Sequence, residues 1–223
     1  MLLRSERQAV VDAARRMVDT GLVVNTSGNV SVLAGETVVI TPSSLPYDTM
    51  SASDVCLVDL ATGDRRPDML HPSSELPLHL AVYRAGRGQA IVHTHSLYAT
   101  AITTVRDDLP AIHYAIVELG GTVPVLPYAT FGSDTLARLV ADGLAGRAAV
   151  LMKNHGATAI GPDLPRAMSR AITLEWLARL YHQAALLGVP AILDDAELAR
   201  VEAGMHAHAE QRDRALASRA KHV

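Results

Sequence analysis

Two histidines separated by one residue stand at the end of an apolar run, Ala90-Ile91-Val92-His93-Thr94-His95. In a strand, side chains alternate between faces, so His93 and His95 would project together on one side. Paired imidazoles of this kind suit two corners of a tetrahedral metal ion. Such a pair also arises by chance, so a third ligand has to be found. His155 offers one: Lys153-Asn154-His155-Gly156 follows a second apolar run, Ala149-Val150-Leu151-Met152, where a strand would give way to a turn. Three imidazoles and one open position make a catalytic zinc site, because the vacancy admits a substrate oxygen. A structural zinc site would want thiolates, and the chain has a single cysteine. The alternative for His155 is an ordinary turn histidine.

Glu75 opens a helix-like segment in His71-Pro72-Ser73-Ser74-Glu75. A carboxylate there is favoured by the helix dipole alone; its chemical reading is a base, or a carboxylate that competes for the metal. Ser73 and Ser74 add hydroxyls and backbone N–H groups suited to an anion. Asn25-Thr26-Ser27-Gly28-Asn29 and Thr41-Pro42-Ser43-Ser44 are two more polar turns that could cradle phosphate without lysine, or be plain turns. Neither a GxGxxG fingerprint nor a Walker loop occurs, which disfavours nucleotide cofactors. His71, His79, His182 and His222 are read as structural or surface residues. His206 and His208 are read as solvent-facing residues of a C-terminal helix.

These groups need a scaffold. Helical spacing of Val10, Val11, Ala14, Met17 and Val18 predicts a helix over residues 5–21, with a Ser5–Gln8 capping box and Gly21 at its end. Strands are predicted over 30–33 and 37–41, joined as a hairpin through Gly35, and over 55–60. Helices follow at 73–84, 96–105, 133–144 (with Ser133 as N-cap) and 164–187, and from about residue 195 onward. Strands at 90–95, 148–153 and 157–160 lie between them, and 109–131 reads as loop with short strands. Hairpins without regular strand–helix alternation favour an α/β fold with a mixed or antiparallel sheet and helices on its faces, rather than a doubly wound sheet.

The 223 residues are 49% hydrophobic and 19% charged, which is globular composition and suggests one domain spanning residues 1–223. A formal charge of −3, one Trp and one Phe argue against nucleic-acid binding. Cys56 is the lone cysteine and sits in an apolar run, so disulfides are excluded, an inert buried thiol is expected, and a reducing cytoplasm fits. Early charge at Arg4, Glu6 and Arg7 predicts no secretory leader, and the uncharged stretch 88–105 is too polar for a membrane span.

In combination the motifs resemble the class II aldolase/adducin family. NTSGNVS (residues 25–31), TPSSLPY (41–47), PSSE (72–75), HTH (93–95), PAIHY (110–114), YATFG (128–132) and KNHG (153–156) occur in that family's order. The resemblance implies its three-layer fold and one Zn²⁺ per subunit, held by His93, His95 and His155, with Glu75 as acid/base and as a ligand when substrate is absent. It implies a phosphate site among Thr26, Asn29, Ser43, Ser44, Ser73 and Ser74, with Phe131 on the aldehyde side. Tyr114 would reach into a neighbouring subunit's site within a fourfold cyclic tetramer. The implied reaction is cleavage of a ketose 1-phosphate, L-fuculose-1-phosphate-like, to dihydroxyacetone phosphate and a short aldehyde such as L-lactaldehyde, through a metal-stabilised enediolate. Two positions depart from the family enzyme that the motifs most resemble: Ser44 stands where that enzyme has glycine, and no aromatic residue follows Tyr181 to serve as its C-terminal aromatic that closes the site. Sugar-phosphate 4-epimerases, phosphate-sugar dehydratases and oxo-acid phosphate decarboxylases of the family share the histidines, although the epimerases usually carry Asp at the position of Glu75. An adducin-like interaction domain without a working metal site is the non-enzymatic alternative.

Overall fold

The structure, a computed structural model, describes residues 1–220; His222 and the side chains of His206, 209–210 and 212–220 lie outside the described residues. Helix α1 (Arg4–Asp19) buries Val10, Val11, Ala14 and Met17, while Val18 is half exposed. The expected Ser5–Gln8 capping box does not form: Leu3, in left-handed conformation, is the N-cap residue, and Ser5 donates to Glu6 instead. At the other end Gly21, at φ +69°, lets the Leu22 N–H reach the Met17 carbonyl and its own N–H reach Val18, a Schellman closure.

Strands β1 (Asn29–Ala34) and β2 (Thr37–Ile40) form the expected hairpin, with Ala34 opposite Thr37 and Gly35 in the turn at φ +61°. After β3 (Cys56–Asp59), helix α2 (Leu76–Arg84) starts three residues later than residue 73, because Ser73 and Ser74 lie in a turn and Glu75 takes the N-cap position. Next come β4 (Ala90–Thr94), α3 (Leu97–Val105) and β5 (Asp108–Leu109). Residues Tyr114–Leu119 form a 3₁₀ helix that the loop reading of 109–131 missed. The chain then runs through β6 (Val123–Leu126), α4 (Asp134–Gly143), β7 (Ala149–Met152), β8 (Gly156–Gly161), α5 (Leu164–Leu187) and α6 (Asp195–Ala220). Ser133 caps α4 by accepting from the Leu136 N–H, as expected.

The sheet order is β3-β2-β1-β4-β8-β7-β6-β5, and every pairing is antiparallel except β6 with β7. Helices α1, α3 and α5 cover one face; α2 and α4 cover the other, so the expected three-layer α/β architecture with a mixed sheet is present. Strand alternation decides which side chains face which layer. Ala90 and Val92 of β4 join the α1/α3/α5 core, whereas Ile91 joins the α2/α4 core. His93 shares the parity of Ile91 and therefore points toward α2. Its cross-strand partners, Asn29 of β1 and Thr158 of β8, lie on the same face.

The turn from β7 into β8 permits one close approach. A Cβ on Gly156 would lie 2.2 Å from the Thr94 carbonyl oxygen, whereas one on Gly146, at φ +70°, meets nothing. Gly156→Ala is expected to cost about 3 kcal/mol because two strands must part, against about 1 kcal/mol for Gly146→Ala, where only backbone strain acts. Urea unfolding midpoints of the two variants check this order.

Candidate active site

Four elements converge at one end of β4. His93 leaves its last turn of strand, His95 follows it, His155 occupies the β7–β8 turn, and Glu75 caps α2. Asn154 supplies the left-handed residue of that turn, at φ +54°, and Gly28, at φ +76°, passes so close to His93 that a Cβ would lie 2.7 Å from its carbonyl oxygen. These contacts explain the Asn and Gly of the two motifs in physical terms.

The four side chains offer ligand atoms that all lie within 4.8 Å of one another. Nε2 of His93 is 2.9 Å from Nε2 of His95 and 2.6 Å from Oε2 of Glu75; Nε2 of His155 is 3.5 Å from Oε1 of Glu75. The three rings meet edge-on with centroids 4.8 to 5.0 Å apart. His93 donates Nδ1–H to the Ala157 carbonyl at 2.9 Å, which turns the Nε2 lone pair toward the cluster. Lone pairs of three imidazoles and a carboxylate aimed at one point repel one another unless a cation lies among them. Glu75 Oε1 is buried without a hydrogen-bond partner, which such a cation would also satisfy. The residues thus fit a divalent metal of nitrogen-and-oxygen preference.

Electrostatics agree with the donor set at His95 and His155, while His93 and Glu75 behave as an ion pair. Burial, reinforced by the charge of His93, pulls the pKa of His95 down to about 3 and that of His155 to about 4, which keeps their lone pairs available. For Glu75, burial works upward, but the charge and hydrogen bond of His93 outweigh it and hold the carboxyl well below the usual range. His93 is raised: burial opposes its charge, and the Glu75 carboxylate more than compensates.

Next to the cluster is a cavity of about 140 Å³. Thr26, Asn29, Ser43, Ser44, Ser73, Ser74 and Phe131 all line it, beside Glu75, His95 and His155. Among the described residues its lining offers hydroxyl, amide and backbone groups to an anion, and no Lys or Arg. The segments carrying these groups are bound to one another. The Ser43 N–H donates to His71 O, the Ser73 N–H donates to Thr41 O, and the Tyr47 hydroxyl donates to Gly28 O at 2.6 Å. Two of the backbone N–H groups expected to face an anion are therefore engaged inside the protein. Ser44 adopts φ +59°, a left-handed conformation that glycine takes without strain. The Asn29 amide donates to Glu75 Oε2 at 3.3 Å.

Tyr114 does not line this cavity. It is 54% exposed and lines a larger groove, about 790 Å³, between the 3₁₀ helix, α5 and α6, with Glu118, Arg166 and His208. Ile116, Leu119 and Val123, on either side of Gly120 and Gly121, enter this chain's own core. His71, His182 and His208 are exposed, and Cys56 is a buried free thiol, its pKa pushed by burial up to about 11. His79, placed among structural or surface residues by sequence, is fully buried beneath the site and accepted into its hydrogen bonding. Its position four residues after Glu75, with Tyr83 four further on, was the available signal: i, i+4, i+8 share one helix face.

The fold and the metal-binding cluster define a metal-dependent α/β enzyme. Residues 8–182 match the family model described as Class II Aldolase and Adducin N-terminal domain. The chain is 37% identical over 205 residues to the 5-deoxy-D-ribulose 1-phosphate aldolase of Bacillus thuringiensis serovar kurstaki, covering 89% of this chain and 94% of that protein. It is 36% identical over 195 residues to the L-fuculose phosphate aldolase of Escherichia coli K12, covering 86% and 90%. A solved L-fuculose 1-phosphate aldolase superposes with a TM-score of 0.87 at 33% identity, covering 91% of this chain and 96% of that one. The chain belongs to the class II aldolase and adducin family. Within it, the chain is an aldolase of the metal-dependent aldehyde-lyase class. No helix among the described residues is long and apolar enough to cross a membrane.

Proposed function

We propose that this enzyme is a zinc-dependent aldolase that cleaves a ketose 1-phosphate to dihydroxyacetone phosphate and a short aldehyde. The observation that carries the reading is the Glu75–His93–His95–His155 cluster opening onto a hydroxyl-lined cavity. His93, His95 and His155 hold the ion, and Glu75 joins them when substrate is absent. Zn²⁺ supplies Lewis acidity toward the negative charge that builds on the ketose oxygens as the bond breaks.

The remaining work belongs to the chain. The C4 hydroxyl proton leaves, the C3–C4 bond breaks with its electron pair passing toward the C2 carbonyl oxygen, and C3 takes up a proton. Glu75 gives that proton in cleavage and removes it in synthesis, because it is the acid/base nearest the cluster. Tyr114 handles the C4 oxygen proton in the site of an adjacent subunit, and Phe131 lines the aldehyde side. Thr26, Asn29, Ser43, Ser44, Ser73 and Ser74 bind the phosphate, whose binding energy orients the reacting carbons. Placing Tyr114 in a groove apart from the cluster supports a shared site and hence a homotetramer. So do the exposed apolar residues at the end of α5 and just beyond it, Leu187 at 92% and Val189 at 99% exposure. The enzyme would work in the cytoplasm as one domain, on phosphorylated sugars, with neither nucleic acid nor membrane as partner.

Two substrates deserve comparison, since the relatives include a 5-deoxy-D-ribulose 1-phosphate aldolase and an L-fuculose phosphate aldolase. Both compounds give dihydroxyacetone phosphate; the aldehyde is acetaldehyde in one case and L-lactaldehyde in the other. A coupled assay for triose phosphate across a panel of ketose 1-phosphates, with and without chelator, tests the reading. Chelator-sensitive release from at least one member is expected, and no release from any would reject the aldol reaction. Ser74→Ala is expected to raise KM for the phosphorylated ketose about 10-fold with kcat changed little, since one hydrogen bond to a charged group is lost. Steady-state kinetics on the preferred substrate check that split.

A further inference from the structure

Behind Glu75, β1 and α2 bury a second group of polar side chains. Asn29 and Ser31 project from β1 toward α2; His79 and Tyr83 stand one and two turns beyond Glu75 on that helix. Ser31 and His79 are fully buried, and Asn29 and Tyr83 are 3% and 4% exposed. They form one unbroken chain: Tyr83 Oη to Ser31 Oγ at 2.6 Å, Ser31 Oγ to His79 Nδ1 at 2.6 Å, His79 Nε2 to Asn29 Oδ1 at 2.5 Å, and Asn29 Nδ2 to Glu75 Oε2 at 3.3 Å.

The direction of every bond follows from its ends. An ionised carboxylate only accepts, so Asn29 gives it an amide N–H and keeps Oδ1 as an acceptor. His79 must then carry its proton on Nε2. Fully buried and with no carboxylate against either ring nitrogen, the ring is neutral, so Nδ1 is an acceptor and the Ser31 hydroxyl donates to it. The Ser31 oxygen in turn accepts from the Tyr83 phenol, which burial holds protonated. Four donors in series therefore lead to Oε2 of Glu75, which also lies 2.6 Å from His93 Nε2, while Oε1 has no hydrogen-bond partner and lies 3.5 Å from His155 Nε2. Apolar side chains would fill the same space at no polar desolvation cost, so a purely structural purpose does not call for this set.

We propose that Tyr83, Ser31, His79 and Asn29 are positioning residues that hold Glu75 through Oε2 and so present Oε1 to the substrate proton. The inference rests on the reading of Glu75 as the group that moves the carbon proton.

The test compares two amides at one position. Gln can place an N–H where His79 Nε2 stands; Asn reaches only toward Ser31. The readout is exchange of the hydroxymethyl hydrogens of dihydroxyacetone phosphate with D₂O, catalysed by the zinc-loaded protein, which isolates the Glu75 step. His79→Asn is expected to lower the turnover of exchange 10- to 100-fold with KM and zinc content unchanged, and His79→Gln to stay within about fivefold of the unaltered enzyme. Equal turnover for both variants and the unaltered enzyme would overturn the positioning role alone. No exchange by the unaltered enzyme would overturn the role of Glu75 and this inference with it. Because His79→Asn could fail to fold, ¹⁵N NMR of the unaltered zinc-loaded enzyme provides a second reading. A neutral His79 protonated on Nε2 is expected; the Nδ1–H tautomer would reverse the chain and refute it.

Discussion

With His155 replaced by Ala, the purified protein is expected to hold less than a stoichiometric amount of zinc and to cleave its ketose 1-phosphate at least about 10³-fold more slowly, the rate equivalent of losing several kcal/mol of charge stabilisation. His155 is the one histidine of the cluster contributed from outside β4 and its end. Its loss leaves two imidazoles and the Glu75 carboxylate, and because Glu75 must leave the ion to move the carbon proton, only two ligands remain once substrate binds. Folding should survive, because the side chain lies at the rim of the cavity and its removal relieves crowding among facing lone pairs. The melting temperature of the zinc-free variant should therefore match that of the zinc-free parent, while metal analysis and the coupled assay both fall. A variant that keeps one zinc per chain and full activity would remove His155 from the ligand set.

Mixing two inactive proteins is expected to restore activity. Glu75→Gln should retain zinc through the three histidines yet lose about 10²- to 10⁴-fold in kcat, because a neutral amide cannot accept the carbon proton. Tyr114→Phe should lose about 10²-fold for want of the phenol proton. Tyr114 lines a groove formed with α5 and α6, not the cavity of its own cluster. If each site takes Glu75 from one subunit and Tyr114 from the next, then random co-refolding of equal amounts gives an intact pair at about one site in four. Recovery of about a quarter of the parental activity is the expected result. Recovery no greater than the sum of the two separate variants would place Tyr114 and Glu75 of one chain in the same site, or Tyr114 outside the chemistry.

What could be read in the sequence was set by local rules. The His93-Thr94-His95 spacing acts through strand alternation, Gly35 through its two-residue turn, and Gly21 through the helix end, and none of these needs knowledge of distant residues. The convergence of Glu75 with His155 crosses 80 residues of chain, and the motif order carried it where periodicity could not. The misses have equally specific causes. Residues Tyr114–Leu119 are too few to show a helical repeat between a proline-bearing approach and two glycines. Ser73 looked like a helix cap, but its hydroxyl accepts from the Glu75 N–H within a turn, delaying α2 to Leu76. For His79 the structural reading fits its full burial, but a histidine on an apolar helix face gives no sign of its partners; the β1–α2 packing brings Asn29 and Ser31 to its two ring nitrogens.

The central claim is that one divalent ion, held by His93, His95 and His155, makes the bond cleavable. Zinc titration of the metal-free enzyme, followed by release of dihydroxyacetone phosphate from its ketose 1-phosphate, tests that claim most directly. The predicted result is activity near zero at the start, a linear rise, and a plateau at one equivalent per chain. Full activity before any zinc is added, or a rate that ignores it throughout, would contradict the account.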